Sequence, residues 1–166
     1  MLVLPEALVR AGVALRADRP SDRAFLRALY GTARPDLVFL SQWPAAERDA
    51  FLDSQFQLQD IHYRRYHAAA DFLIVEQGGF PIGRLVLERG RKEWSIIDIA
   101  LLPANRASGL GAAIVRAAQD AARDANRSIR LHVERGNRAK SFYERLGFVD
   151  VESEYPSHFA MLWRPS

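Results

Sequence analysis

A strand-to-helix junction in the second half of the chain limits the possible folds most strongly. The run WSIIDIALL predicts a strand that ends at Pro103, and a helix is expected to begin near Gly109. One face of this helix carries Leu110, Ile114 and several alanines, and small residues let a helix lie close to a sheet. A strand followed by such a helix indicates an α/β fold with helices packed on a sheet.

Before this junction, the chain predicts one strand, two helices and a hairpin. The first strand is expected at residues 13–16, and the helix after it has Ser21 or Asp22 as a suitable N-cap. The second helix is expected at residues 44–66, with a proline in its first turn. Two apolar runs then flank the turn QGGF, which is typical of a β-hairpin.

After the junction, the chain predicts a fifth strand, a short helix and two further strands. SIRLHV is the strand, and the helix is expected from Asn137 to Leu146 with Asn137 as its N-cap. Gly147 suits the left-handed residue after the helix, and Phe148 suits the apolar contact beyond it. The complete order is β-α-α-β-β-β-α-β-α-β-β, which predicts a mixed sheet covered by helices.

Chain length and composition predict a single domain. The 166 residues suffice for one sizeable core, which we place at residues 12–166, after an N-terminal extension at residues 1–11. The extension contains Pro5 and Glu6 and has no basic segment before it, which argues against a signal peptide. No apolar run reaches the ~18 residues of a membrane span, so we expect no membrane partner. The lack of cysteine fits a cytoplasmic location.

Charge and residue types argue against two other classes of protein. The net charge is +3 and the pI is near 9.6, but the basic residues are interleaved with acidic ones. Since nucleic-acid binding requires a concentrated basic face, we expect no nucleic-acid partner. Without cysteine, thiolate zinc sites and a cysteine nucleophile are excluded. His62 and His67 are five residues apart and share no helix face, so we expect no metal site.

The loop LLPANRASGLG suits an anion. Backbone N–H groups at a helix start lack partners within the helix, and the helix dipole favours negative charge there. Gly109 and Gly111 let an anion approach the backbone, and the Arg106 guanidinium can bind phosphate oxygens. Alone, the pattern also fits an ordinary turn with a surface arginine. It contains neither GxGxxG nor GK[ST], so it is neither a dinucleotide loop nor a P-loop.

A second motif, RGNRAKSFYERLGF, opens the next helix. If Phe142 and Leu146 face the core, Tyr143 lies about 100° around the helix, at the margin of the apolar face. A marginal tyrosine can be an ordinary amphipathic residue. Its phenol, with an unperturbed pKa of ~10, can also donate a proton. The position alone leaves both roles open.

Together, the two motifs resemble those of the GNAT acetyltransferase superfamily, in a bacterial-type member. IALLPANRASGLGAAIV is similar to the family's strand, pyrophosphate loop and helix, with the R/Q-x-x-G-x-G/A signature at residues 106–111. GNRAKSFYERLGF is similar to N-x-A-x-x-[FL]-Y-x-x-L-G-F, and ALRADRPSDRAFLRALY is loosely similar to the first strand and helix. The resemblance implies the GNAT acyl-CoA N-acyltransferase fold. This is an α/β fold with a mixed, mostly antiparallel twisted sheet, splayed strands four and five, and about four flanking helices.

The resemblance also implies acetyl-CoA as co-substrate, with no metal. Backbone groups around Leu101 would pair with the pantetheine arm, and a strand N–H there would polarise the thioester carbonyl. The implied cofactor-binding residues are Leu101, Leu102, Pro103, Arg106, Ala107, Ser108, Gly109, Leu110, Gly111, Ala112, Asn137, Lys140 and Tyr143.

The implied reaction is direct attack of an amine on the thioester in a ternary complex. Tyr143 matches the family's general acid, which protonates the departing thiolate. The resemblance does not identify the base. Asp98, His132 and Glu134 are candidates because they lie on neighbouring strands, the last two on one face. Glu134 is preferred, and Asp98 equally suits a polar contact between strands.

The acceptor is expected to be a primary amine of a small molecule or a peptide. Phe56, Tyr63 and Tyr66 lie at helical spacing and either line the acceptor site or belong to the core. The resemblance is compatible with a homodimer. Two alternatives remain: a CoA-binding regulatory module without turnover, and an acyltransferase that uses a longer acyl-CoA.

Overall fold

The computed structural model describes residues 2–166, apart from the side chains at positions 35 and 36. The strands are β1 Val13–Ala17, β2 Asp71–Gln77, β3 Phe80–Arg89, β4 Glu93–Leu101, β5 Ser128–Glu134, β6 Val149–Val151 and β7 His158–Trp163. The α-helices are α1 Glu6–Arg10, α2 Arg23–Thr32, α3 Ala45–Tyr66, α4 Leu110–Asp124 and α5 Ala139–Arg145. Short 3₁₀ segments lie at Pro20–Asp22, Pro35–Gln42 and Pro103–Asn105.

The strands form one sheet in the order β1-β2-β3-β4-β5-β7-β6. Among the described residues, only the β4–β5 pair is parallel, and the other neighbouring strands are antiparallel. This confirms the mixed, mostly antiparallel sheet, and the predicted order of strands and longer helices is also correct. The hairpin turn is formed by Gly78 and Gly79, which both have positive φ, as a two-residue turn with a matching twist requires.

Strands β4 and β5 splay apart, as expected. Their register contains three pairs and stops at Ser95 opposite Arg130. On the other side of β4, Val86 pairs with Asp98 while Leu87 pairs with Ile96, so β4 carries a bulge between these partners. Bulges bend a strand and increase its local twist. The C-terminal half of β4 therefore diverges from β5, and its free edge borders an open space.

Helices cover both faces of the sheet. Helix α4 packs on one face through fully buried Ile114, Val115 and Ala118, as the small-residue pattern predicts. Burying a side chain such as Ile114 contributes ~1.5–3 kcal/mol. On the other face, Leu26 and Phe56 belong to a second core with α2, α3 and β2. These two helical layers fix the shape of the sheet and therefore the separation between β4 and β5.

The N-terminal segment packs on the domain. Leu2 is buried in the main core, and Leu4 and Leu8 pack against it. Helix α1 and the 3₁₀ segment Pro35–Gln42 had no counterpart in the sequence prediction, because both are shorter than the windows in which periodicity is informative. Within residues 2–166, no helix combines the length and the apolar character needed to cross a membrane.

The N-cap of α2 is correctly predicted at Asp22, whereas α5 begins two residues later than predicted and has Arg138 as its N-cap residue. Asp22 is the N-cap residue of α2, but its carboxylate accepts hydrogen bonds from the Arg19 N–H and from the Arg16 guanidinium instead of capping the helix. Helix α5 begins at Ala139, where the Asn137 side chain accepts the Ala139 N–H at 2.9 Å. In both cases, the polar side chain stabilises the turn before the helix.

The end of α5 is as predicted. Gly147 has φ of 86°, and the Phe148 N–H bonds to the Tyr143 carbonyl at 3.1 Å. Phe148 itself is buried, which provides the apolar contact that accompanies this type of helix end.

Candidate active site

An open cleft of about 630 Å³ lies where β4 and β5 diverge. It brings together these predicted cofactor-binding residues: Leu101, Arg106, Ala107, Gly109, Gly111, Ala112, Asn137 and Tyr143. Its other lining residues are Thr32, Ala33, Ile99, Ala100, Ala139, Phe142 and Arg145. The end of α2 thus forms part of the wall, which the two sequence motifs did not indicate.

Other predicted cofactor residues lie beside the cleft and do not line it. The Lys140 ammonium pairs with Asp150 at 2.8 Å and with Glu144 at 3.4 Å. The Ser108 hydroxyl donates to the Asn105 carbonyl, and Leu110 is buried in the main core. Leu102 and Pro103 follow the end of β4, where the Leu102 N–H bonds to the Ile82 carbonyl.

The loop before α4 presents a helix N-terminus to the cleft. Gly109 is the N-cap residue and has φ of 82°, a conformation that glycine adopts without strain. The first N–H groups of α4 have no acceptor within the helix, so they and the helix dipole favour an anion at this end. Gly111 has ordinary φ, and a Cβ there would contact Leu101 and Phe142 at 3.7 and 3.8 Å. Only Gly109 is therefore required by the backbone.

The free edge of β4 offers backbone groups to the cleft. Because the Leu102 N–H points to β3, the alternation along a strand directs the N–H and C=O of Leu101 to the opposite edge. That edge faces the splay. The Leu101 carbonyl accepts a hydrogen bond from Arg106 Nε at 2.9 Å. Arg106 therefore covers the carbonyl of Leu101 but not its N–H, which faces the cleft.

Tyr143 is more buried than expected from its predicted position at the margin of the apolar face of α5. The side chain is 9% exposed, and its ring contacts Phe142 at 5.0 Å and Phe148 at 5.7 Å. The turn at Gly147 returns Phe148 beneath the helix, and this covers the tyrosine. Burial raises the pKa of Tyr143, and the negative charge of Asp98 adds to the increase. The phenol is therefore neutral near pH 7 and carries the proton that an acid needs.

Arg84 is a buried charge beside the candidate base Asp98 that the sequence did not predict, and neither residue lines the cleft. Arg84 is 7% exposed, and its Nε donates to Asp98 Oδ2 at 2.6 Å while its Nη2 donates to Gln59 Oε1 at 2.7 Å. Its guanidinium also lies 5.4 Å from the Tyr63 ring. The only available signal was an arginine within the apolar run PIGRLVLE. A buried charge requires partners, and these join α3, β3 and β4.

Asp98 is the candidate base whose charge acts on Tyr143. The same charge also raises the pKa of Tyr63, where burial is the larger cause. Asp98 forms an ion pair with Arg84 on the neighbouring strand β3, which is the polar contact between strands that the sequence also allowed. His132 and Glu134 lie on the exposed face of β5, and His132 contacts the ring of Tyr155 at 5.4 Å. Partial burial of the imidazole, and then the charge of Arg130, lower the pKa of His132.

The three aromatic residues expected at the acceptor site lie in different environments. Phe56 is 1% exposed and contributes to the second core, so it presents no surface to a ligand. Tyr66 is 63% exposed and contacts His62 with ring centroids 4.7 Å apart. Tyr63 is partly buried beside Arg84 and Asp98. Among the described residues, no group of three or more His, Asp or Glu side chains is placed to hold a metal ion.

Comparisons with known proteins agree with this geometry. The sequence profile of the Acetyltransferase (GNAT) family matches residues 26–148. Comparison with curated protein sequences gave no significant match. The fold is similar to PaiA N-acetyltransferase from Thermoplasma acidophilum in complex with coenzyme A, with a TM-score of 0.67 and 17% identity, covering 92% of this chain and 98% of that one.

Two further solved structures have the same fold. Ard1 from Thermoplasma volcanium has a TM-score of 0.62 and 22% identity, with 93% of this chain and 99% of that chain covered. The ribosomal-protein-S18-alanine N-acetyltransferase from Escherichia coli has a TM-score of 0.64 and 17% identity, with coverages of 93% and 94%. At these identities, the similarity establishes the fold.

Proposed function

Because the chain belongs to the Acetyltransferase (GNAT) family, we propose that it transfers the acetyl group of acetyl-CoA to a primary amine of a small molecule or peptide. The catalytic domain comprises residues 12–166. The observation that supports this proposal best is the cleft itself. The free edge of β4, the N-terminus of α4 and the buried phenol of Tyr143 meet around one space.

The cleft residues fit the three parts of acetyl-CoA. The backbone N–H groups of residues 107–112 receive the pyrophosphate, since a helix N-terminus favours an anion. The free edge of β4 pairs with the amides of the pantetheine arm, as an added strand would. The Leu101 N–H then polarises the thioester carbonyl and stabilises the negative charge that develops on its oxygen.

The reaction needs one proton removed and one proton supplied. The amine nitrogen attacks the thioester carbonyl carbon, the C–S bond breaks, and Tyr143 donates its proton to the departing sulfur. The amine loses a proton to Asp98, directly or through water. Asp98 is preferred to Glu134 and His132 because it is adjacent on β4 to the cleft-lining Ile99 and its charge acts on Tyr143, whereas the other two lie on the exposed face of β5. The products are the acetylated amine and CoA with a free thiol.

Thermal unfolding with acetyl-CoA, CoA, ATP or NAD tests the cofactor. A specific ligand at ~100 times its Kd adds ~2.7 kcal/mol to the free energy of unfolding, which raises the Tm of a domain this size by roughly 5–10 °C. We expect this increase with acetyl-CoA and CoA, and none with ATP or NAD. An unchanged Tm with saturating acetyl-CoA would contradict the proposal.

Turnover is tested by following thiol release from acetyl-CoA with a panel of amines. The protein contains no cysteine, so a thiol-reactive dye detects only CoA. Release that depends on both acetyl-CoA and an amine is expected. Cofactor binding without release for any amine would instead indicate a regulatory CoA-binding module.

A further inference from the structure

The side chain of Arg106 is directed at the protein backbone. We infer that Arg106 is a positioning residue that ties the end of α2 to the end of β4 and so sets the shape of the donor cleft. This inference rests on the proposed function, because it concerns the same donor site. It differs from the role that the loop motif suggests, which is direct binding of the pyrophosphate by the guanidinium.

The hydrogen bonds of Arg106 define a clamp between two separate elements. Its Nε donates to the Leu101 carbonyl at 2.9 Å, and its Nη2 donates to the Thr32 carbonyl at 2.9 Å. The same Nη2 also lies 3.3 Å from the Thr32 hydroxyl. Thr32 is 74 positions away in the sequence, so this contact exists only in the folded chain. One planar guanidinium therefore bridges two carbonyls, which a point charge does not do.

Electrostatics favours this position for the arginine. Thr32 is the last residue of α2, where the helix dipole and the unpaired carbonyls give partial negative charge. Helix α2 has no basic residue in its own last turn. Arg106 supplies the missing cation from the donor loop, and its hydrogen bonds to carbonyls are strengthened by its charge.

The clamp acts on the cleft because both of its partners belong to the wall. Thr32 and Leu101 each line the space, and Arg106 donates hydrogen bonds to the carbonyls of both. If Arg106 moved onto a phosphate, both carbonyls would lose their partner and the α2 end would be released. The clamp therefore affects the binding of the whole acetyl donor, including the part that carries no phosphate.

Donors with and without phosphates distinguish the two roles. We would measure the affinities of acetyl-CoA and S-acetylpantetheine for the wild-type protein, Arg106→Ala and Arg106→Lys. The clamp predicts that both variants lose affinity for both donors by a similar factor, about tenfold. Lysine keeps the positive charge but does not bridge the two carbonyls, so Arg106→Lys should not restore the affinity for either donor. Arg116→Ala, on the exposed side of α4, removes the same charge elsewhere and should leave both affinities unchanged.

Hydrogen exchange of the unliganded proteins separates a local clamp from general destabilisation. In Arg106→Lys, amides in residues 29–34 and 99–106 should exchange faster, while those of β1 and β2 should not. The inference is overturned if only acetyl-CoA loses affinity in Arg106→Ala and lysine restores it, or if both variants bind both donors normally. It is also overturned if exchange rises uniformly. Failure of the wild-type protein to bind acetyl-CoA would instead contradict the proposed function, and the exchange experiment would still test the clamp.

Discussion

Tyr143 owes its chemical character to its surroundings. Its place in the helix predicts a marginal residue, but Phe142 and Phe148 enclose its ring and Asp98 adds a negative field. Both effects raise the pKa of Tyr143, so the phenol keeps its proton near neutral pH and is a weaker acid than an exposed tyrosine. A thiol has an ordinary pKa of about 8.5, so a thiolate is the weaker base and takes this proton only while it is held close to the phenol in the cleft. Position and burial together therefore suit Tyr143 to act as an acid.

Replacing Tyr143 with phenylalanine tests this role. We expect kcat to fall by ~10²–10⁴-fold, because the proton donor is lost while the packed ring remains. The Kd for CoA should stay close to that of the wild-type protein. Steady-state rates with acetyl-CoA and the best amine, together with a CoA titration, provide the measurement. An unchanged kcat would exclude Tyr143 as the acid.

Tyr63 and Tyr66 provide a matched pair for the acceptor side. Tyr63 is partly buried at the Arg84–Asp98 pair, whereas Tyr66 lies largely exposed one helical turn further on. We expect Tyr63→Ala to raise the KM of the acceptor amine several-fold, since it removes contact surface beside Asp98, and Tyr66→Ala to leave it nearly unchanged. Comparison of acceptor KM values for the two variants is decisive: equal values would remove Tyr63 from the acceptor site. A Tm measurement shows whether Tyr63→Ala is folded under the assay conditions.

At the start of α4, the two glycines of the loop have different reasons to be there. Gly109 holds a left-handed conformation, whereas Gly111 has ordinary φ and room for a methyl group. We expect Gly109→Ala to lower the free energy of unfolding by ~1–2 kcal/mol, because a Cβ is strained at that φ. Gly111→Ala should cost nothing and can gain up to about 1 kcal/mol from helix propensity. Urea unfolding of both variants checks this, and a larger loss for Gly111→Ala would contradict it.

The elements around the cleft were predictable to different degrees. The strand before the loop, the helix after it and the turn at Gly147 follow from periodicity and from glycine chemistry, which act over a few residues. The bulge in β4 between the partners of Val86 and Leu87 had no such signal. A bulge depends on how two strands meet, so the residues of one strand do not specify it.

Stability of the folded chain should depend on pH at both ends of the range. The Arg16 guanidinium, through its hydrogen bonds, holds the pKa of Asp22 below its ordinary value of 3.8, although burial opposes this. A lowered pKa contributes stability above pH 3.8 that is lost as the pH falls below it. The pKa values of Tyr63 and Tyr143 are raised above 10.0, mainly by burial. Their contribution is present below pH 10 and is lost as the pH rises further.

Asp22→Asn tests the acid side of this dependence. Breaking this largely buried pair should lower the free energy of unfolding by about 2 kcal/mol at pH 7, since Arg16 loses its two hydrogen bonds to Asp22 and keeps Glu76 as its ionic partner. The difference from the wild-type protein should shrink below pH 4, where Asp22 is protonated on unfolding. Chemical denaturation between pH 3 and pH 8 provides the measurement, and a difference that is constant with pH would contradict the assignment.

The amino-acid sequence determined the order of strands and helices, the glycine turn before α4 and the presence of Tyr143 after β5. These features depend on propensity, periodicity and turn chemistry, which are properties of neighbouring residues. The burial of Tyr143, the contact of Arg84 with Asp98 and the clamp from Arg106 to Thr32 followed only from the folded chain. Each depends on side chains from distant segments that meet across the sheet, and their hydrogen bonds and electric fields exist only after those segments pack.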